Sequence, residues 1–178
     1  MKTIYIVRHA KAEGQPFHAS LTAEGEEQAR RLASFLEKYP VDAIYSSPFK
    51  RALQTIQPFA ERKGLSIIED DRLGERILSE KDFTDWKQKL RESFEDFSLV
   101  FPGGESNEQG LARAASFIEF VVERKEDHIV VVSHGNLTTL LLRYFDETYG
   151  YDELFALTNP DVYLVKVDEG RVERVWES

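Results

Sequence analysis

Ile129-Val130-Val131-Val132 is an unbroken run of β-branched residues that passes directly into Ser133-His134-Gly135. A strand with one face in water alternates apolar and polar side chains. A run that is apolar at every position is a strand covered on both faces. Its expected setting is the middle of a sheet with helices packed on either side. The flanking sequence agrees. A helix is expected from Asn136 to Phe145, immediately after the run. Before it, Leu111, Ala114, Ala115, Ile118 and Val122 recur at helical spacing, and Ser106 with Gln109 forms a capping box where that helix begins.

Toward the N-terminus, Lys2 to Val7 reads as a first strand. Thr22 is placed as the N-cap of a helix whose apolar positions are Ala29, Leu32, Ala33, Leu36 and Tyr39. Val41 to Tyr45 is a second strand, and Leu65 to Ile68 a third. Between them Phe49, Ala52, Leu53, Ile56, Phe59 and Ala60 mark another amphipathic helix; Pro58 within it deprives the Gln54 carbonyl of a donor and is expected to kink it. Toward the C-terminus, Val162 to Val167 and Arg171 to Trp176 flank Asp168-Glu169-Gly170, a hairpin signal. Strands alternating with helices predict an α/β fold, a three-layer α/β/α sandwich with a mostly parallel central sheet and an antiparallel edge. One stretch stands apart. Phe83, Trp86, Leu90, Phe94 and Phe97 form a narrow apolar stripe on an otherwise charged helix, and they read as core rather than as a ligand wall. The expectation is a single domain over residues 1–178 with a small helical cap inserted at about 73–101.

Composition narrows the function classes. The 178 residues suffice for one domain with a substantial core. Hydrophobic residues make up 42% and charged residues 31%, as in ordinary globular domains. No apolar run approaches the roughly 20 residues of a membrane span. Met1 leads into a strand-like run rather than a signal peptide, so a cytoplasmic location with no membrane partner is expected. The absence of cysteine excludes disulfides, thiolate metal sites and a Cys nucleophile. Neither His-x-His nor His-Glu-x-x-His occurs, so no metal site and no cofactor are expected. The net charge of -9 argues against nucleic acid as a partner. It leaves room for a small anionic ligand, because salt screens distant carboxylates beyond about 10 Å. Nothing in the sequence speaks to oligomeric state.

Ligands of open α/β sheets sit beyond the carboxyl ends of the strands. The first strand ends in Arg8-His9. The second ends in Ser46-Ser47-Pro48, with Arg51 one turn into the next helix. The central one ends in Ser133-His134-Gly135 at a helix N-terminus. Two arginines and two of the four histidines thus converge on one face. Arginine binds phosphoryl oxygens bidentately, and a helix N-terminus supplies free N–H groups. One imidazole can attack phosphorus in line while another donates to a non-bridging oxygen. Phosphoryl transfer needs mainly positioning and charge stabilisation, so this set suits it. Ser133 and His134 are adjacent on an extended chain and point to opposite sides, which rules out a hydrolase triad pair. No Gly-x-Ser-x-Gly elbow occurs.

Tyr5-Ile-Val-Arg8-His9-Ala10, Leu21-Thr22-Ala-Glu-Gly25-Glu-Glu-Gln28-Ala29, Ser46-Ser47-Pro48-Phe-Lys-Arg51-Ala52-Leu-Gln54-Thr55, Gly103-Gly104-Glu105-Ser106 and Val132-Ser133-His134-Gly135 resemble, in order, the motifs of the histidine phosphatase superfamily, which includes cofactor-dependent phosphoglycerate mutases and many small phosphatases. The resemblance implies that His9 is the phosphorylated nucleophile and that Arg8, Arg51 and His134 hold the phosphoryl oxygens. It suggests Glu75, in Leu73-Gly74-Glu75, as proton donor to the leaving oxygen and base for the hydrolytic water. Gln15 and Gly135 are candidate substrate contacts. Two departures stand out. Ala10-Lys11-Ala12, with Gln15 further on, replaces the frequent Gly-Glu-Thr followed by Asn. Arg76-Ile-Leu-Ser79 replaces the frequent Gly-x-Trp-x-Gly after Glu75, which leaves Glu69, Asp70, Asp71 and Glu80 open as alternative acids.

The nucleophile must be neutral. Arg8 and Arg51 should disfavour a further positive charge on His9, and one ring nitrogen is expected to donate to a backbone carbonyl. Gly103 to Ser106 reads as a turn with an N-cap, and His18 and His128 as bystanders. The leading expectation is a phosphatase acting on a small phosphorylated substrate. A mutase, a protein phosphohistidine phosphatase and a non-catalytic phosphate binder follow in that order.

Overall fold

The computed structural model describes residues 1–177. One sheet holds β1 (Thr3–Arg8), β2 (Ala43–Ser46), β3 (Ile67–Glu69), β4 (His128–Ser133), β5 (Asp161–Lys166) and β6 (Arg171–Arg174), in the order β3-β2-β4-β1-β5-β6. The first four of that order run parallel; β5 and β6 close one edge antiparallel.

The pleat explains the unbroken apolar run. Ile129 and Val131 of β4 enter one core, together with Ile4 and Ile6 of β1. Val130 and Val132 enter the opposite core, with Tyr5 and Val7. On the first face lie α4 (Asn107–Val122) and α5 (Gly135–Phe145), which contribute Ala114, Phe117, Ile118, Leu137 and Leu140. On the second lie α1 (Ala23–Leu36) and α2 (Lys50–Lys63), through Leu32, Leu36, Ile56 and Phe59. These are the three layers expected. Each fully buried Val or Ile contributes about 1.5–3 kcal/mol, and a polar residue anywhere in the run would forfeit that on a face with no access to water.

The helix ends follow the local chemistry. Thr22 caps α1 by accepting from the Gly25 N–H at 2.9 Å, and Ser106 with Gln109 makes the reciprocal box at α4. α2 continues through Pro58; Thr55 and Ile56 before it and Phe59 and Ala60 after it are buried and hold the helix on the sheet.

Residues 74–101 contain one helix, α3 (Trp86–Glu95). The apolar stripe there is split. Leu90, Phe94 and Phe97 pack into the α4/α5 core, whereas Phe83 pairs with Phe101 and Trp86 stays 47% exposed. A sixth helix, α6 (Tyr151–Ala156), was not expected from the sequence; it is six residues long and buries only Leu154, too little for a visible period.

Candidate active site

Strand register assembles the site. Arg8 pairs with Ser133 across β1 and β4, and Ser46 with Val132 across β2 and β4. Just beyond, the His9 N–H donates to the Ser133 carbonyl at 3.0 Å, and the Ser47 N–H donates to the Val132 carbonyl at 2.9 Å. The three strand ends are thereby locked together, and the His9 and His134 rings lie 5.1 Å apart, edge to face.

His9 is 7% exposed and its tautomer is fixed by its neighbours. Nδ1 lies 2.7 Å from the Ala10 carbonyl, which can only accept, so Nδ1 carries the proton. Nε2 accepts from Arg51 Nε–H at 3.2 Å and is therefore the bare nitrogen. Burial pushes the imidazole pKa down to about 3; the Ala10 hydrogen bond opposes this, and Arg51 and Arg8 reinforce it. His9 is thus a neutral imidazole whose Nε2 lone pair faces the site.

Arg51 is 1% exposed. Besides Nε on His9, its Nη1 donates to the carbonyls of Gln15 and Pro16, both at 2.9 Å. Its Nη2 makes no hydrogen bond among the described residues. Thr55 Oγ1 accepts from the Ala10 N–H at 2.9 Å and donates to the Arg51 carbonyl at 2.7 Å, tying the loop after His9 to the helix that carries Arg51.

His134 is completely buried, and its Nε2 lies 2.7 Å from Ser47 Oγ. That oxygen already accepts from the Phe49 N–H at 3.2 Å. Among the described residues the hydroxyl has no other acceptor, so its proton goes to His134 Nε2, which places the imidazole proton on Nδ1. Nδ1 has no partner within the protein. Burial, then His9 and Arg51, hold the His134 pKa well below its usual value. A neutral ring with a free Nδ1–H donor suits a phosphoryl oxygen.

Arg8 leaves Nε without a partner, while its Nη1 donates to the Leu157 carbonyl at 3.2 Å. Its guanidinium lies against Gly135: a Cβ there would stand 3.0 Å from Nη2. Burial lowers the pKa of Arg8 and of Arg51, and Glu75 opposes the shift in both; both stay cationic. Two orphaned, buried donors in one site are what an anion would satisfy.

Glu75 comes to the N-terminus of α5. Its carboxylate accepts from the N–H groups of Asn136 at 3.0 Å, Leu137 at 2.9 Å and Arg76 at 2.9 Å. Among the described residues, none of Glu69, Asp70, Asp71 and Glu80 hydrogen-bonds to the α5 terminus; Asp70 accepts from the Arg72 N–H at 2.9 Å and from its guanidinium at 2.7 Å, and the other three are exposed. A cavity of about 380 Å³ opens beside Glu75, lined also by Ile77, Gly104, Glu105, Gln109 and Arg113.

Gln15 joins the site through its backbone carbonyl, while its side chain is exposed. His18 packs edge to face with Phe17 at the rim, from which Phe49 leads to His134. His128 starts β4, at the opposite end of the sheet. Sequence reasoning did not single out Ser47, although it stands inside a quoted motif. It also missed Asn159, whose Nδ2 donates to the His9 carbonyl at 3.0 Å; the turn signal Asn159-Pro160 was its only trace. Among the described residues, no group of three or more His, Asp or Glu side chains gathers to hold a metal ion.

Comparison with known proteins converges on the same family. The family profile of the histidine phosphatase superfamily, branch 1, matches residues 4–177. Phosphoserine phosphatase 1 of Hydrogenobacter thermophilus is 33% identical over 150 residues, covering 75% of this chain and 71% of the relative. A probable phosphoglycerate mutase of an Enterobacter species is 30% identical over 154 residues, covering 76% and 70%. The structure of a mycobacterial glucosyl-3-phosphoglycerate phosphatase in complex with VO3 superposes with a TM-score of 0.79 at 25% identity, covering all of both chains. The match spans the sheet, both helical layers and every strand end that carries a candidate catalytic group, and the chain belongs to the histidine phosphatase superfamily.

Proposed function

We propose that this chain is a phosphatase that hydrolyses phosphate monoesters of small metabolites through a phosphohistidine on His9, without a divalent metal, in the cytoplasm. The observation that carries the reading is the bare Nε2 of a buried, neutral His9 set beside Arg51, with Arg8 Nε and His134 Nδ1 unpartnered nearby.

In the first step the His9 Nε2 lone pair attacks phosphorus. An N–P bond forms, the ester P–O bond breaks, and the leaving oxygen takes a proton from Glu75. Arg51 Nε–H, released from His9, turns to a phosphoryl oxygen; Arg8 and His134 Nδ1–H hold the others. In the second step a water attacks phosphorus, Glu75 takes its proton, the N–P bond breaks and inorganic phosphate leaves. Acid help of this kind is worth about 10²–10⁴ in rate. Glu75 Oε2, which among the described residues accepts only from the Asn136 N–H, is the oxygen that carries this proton. Residues 73–101, which carry Glu75 and α3, serve in this reading as a cap on the single domain.

The phosphatase names among the relatives favour small phosphorylated alcohols as substrates. The mutase-named relative favours a second reading, in which the same phosphohistidine returns its phosphoryl group to the product. A panel of phosphorylated metabolites, assayed for phosphate release with and without EDTA, tests the proposal. Wild type should release phosphate in both conditions and His9→Ala in neither. Loss of activity in EDTA would sink the metal-free mechanism. Isomer formed from 3-phosphoglycerate faster than phosphate is released would replace phosphatase with mutase.

A further inference from the structure

Three consecutive carbonyls precede Glu75, and each is held by a side chain. Ser133 Oγ donates to the Leu73 carbonyl at 2.7 Å. Arg113, on α4, reaches the other two: its Nη1 donates to the Arg72 and Gly74 carbonyls, both at 2.8 Å. The rest of the Arg113 fork is fixed by Glu105, with Nε to Oε2 at 2.9 Å and Nη2 to Oε1 at 2.7 Å. Both side chains are about three-quarters buried, at 22% and 25% exposed. Glu105 is in turn anchored to the segment after Glu75: its N–H donates to the Ile77 carbonyl at 2.8 Å, and its carbonyl accepts from Arg76 Nη1 at 2.6 Å.

We propose that Arg113, oriented by Glu105, is a positioning residue that sets where the Glu75 carboxyl stands. The inference rests on Glu75 being the acid of the proposed reaction. A bidentate Arg–carboxylate pair is planar and directional. It presents the remaining Nη1 edge to the chain in one orientation only. Two carbonyls two residues apart and bound to one nitrogen make a tight bend, and Glu75 leaves that bend toward the α5 terminus. A lysine carries the charge but not the fork, so it cannot hold Glu105 and both carbonyls together. The arrangement also gives the Gly103-Gly104-Glu105-Ser106 motif a purpose beyond its turn and cap: Gly104 lets the strand of chain lie against Leu78, where a Cβ would stand 2.1 Å from its carbonyl oxygen, and so delivers Glu105 to Arg113.

The test compares two substrates by kcat/KM, which reports phosphoenzyme formation alone. An alkyl phosphate needs a proton on its leaving oxygen; p-nitrophenyl phosphate does not. In Arg113→Met and Arg113→Lys, kcat/KM for the alkyl ester should fall by about tenfold to a hundredfold, the scale of a misplaced catalytic group. The loss for p-nitrophenyl phosphate should stay within about threefold, and this second activity doubles as the check on folding. Glu75→Gln should show the same contrast, and the Glu75→Gln/Arg113→Met double variant should be no slower than Glu75→Gln alone. Should the Arg113 variants not accumulate as folded protein, Glu105→Gln loosens the same fork and should give the same contrast more weakly. Equal losses on both substrates, or additive losses in the double variant, would show Arg113 to be merely structural. If Glu75→Gln shows the contrast and the Arg113 and Glu105 variants do not, this inference alone falls. If Glu75→Gln shows none, the acid assignment falls and takes the inference with it.

Discussion

Gly135→Ala separates the chemistry of the site from the stability of the fold. Gly135 is the first residue of α5 and does not have a positive φ, so alanine fits the backbone. In a helix alanine is favoured over glycine by up to about 1 kcal/mol. The added methyl would stand 3.0 Å from Arg8 Nη2 and 3.3 Å from both Cζ and Nε. The guanidinium must therefore retreat by a few tenths of an ångström, and its Nη1 is already engaged by the Leu157 carbonyl. A charge-assisted hydrogen bond is worth about 1.5–3 kcal/mol. Spoiling one to phosphate should lower kcat/KM by about tenfold to a hundredfold, because each 1.4 kcal/mol is a factor of ten. The expected result is a melting temperature unchanged or slightly raised, with activity down and weaker competitive inhibition by inorganic phosphate. Wild-type activity and phosphate affinity in a folded Gly135→Ala protein would mean that Arg8 does not hold the phosphoryl group.

Three further outcomes are expected. Ser47→Ala removes the donor that keeps the His134 proton on Nδ1 and should cut kcat/KM by about tenfold, the worth of a buried hydrogen bond; Ser47→Thr should restore most of it, and nitrogen NMR of His134 should report the tautomer directly. Gln15→Ala should change kcat/KM by no more than about twofold, as for other exposed side chains, since the carbonyl of residue 15 and not its side chain holds Arg51. The depressed pKa of His9 makes a stability prediction: between pH 6.5 and about 3 the unfolded chain carries a proton on this ring that the folded chain does not. Stability should thus be fully present above pH 6.5 and fall as the pH drops, by up to about 1.4 kcal/mol per pH unit from this group. The slope, measured by urea unfolding at pH 5, 6 and 7, should be shallower in His9→Asn.

The sheet was legible because its signal is local. An apolar run at positions 129–132 requires cover on both faces, and alternate residues of β4 and β1 supply two separate cores. Three candidate site residues were legible because they follow apolar strands directly: Arg8 ends β1, and His9 and His134 come one residue after β1 and β4. What escaped depends on contacts between segments distant in sequence. α6 carries almost no buried surface of its own, yet the chain leaving it delivers the Leu157 carbonyl to Arg8 and Asn159 to the His9 carbonyl. No periodicity announces a carbonyl. The same holds for Glu75, where the motif gave a carboxylate and the structure gave a helix terminus for it to cap. Gln15 illustrates the opposite case, a side chain chosen for its chemistry whose backbone does the holding.

Covalent trapping addresses the centre of the account. Acid quenching would destroy the N–P bond, so wild-type protein is mixed briefly with a radiolabelled phosphate ester, denatured in alkali, and the bound label counted. Label that survives alkali, is released by acid, and disappears in His9→Ala is the result expected. Label retained in His9→Ala, or wild-type turnover with no acid-labile phosphoprotein at any mixing time, would contradict nucleophilic attack by this imidazole.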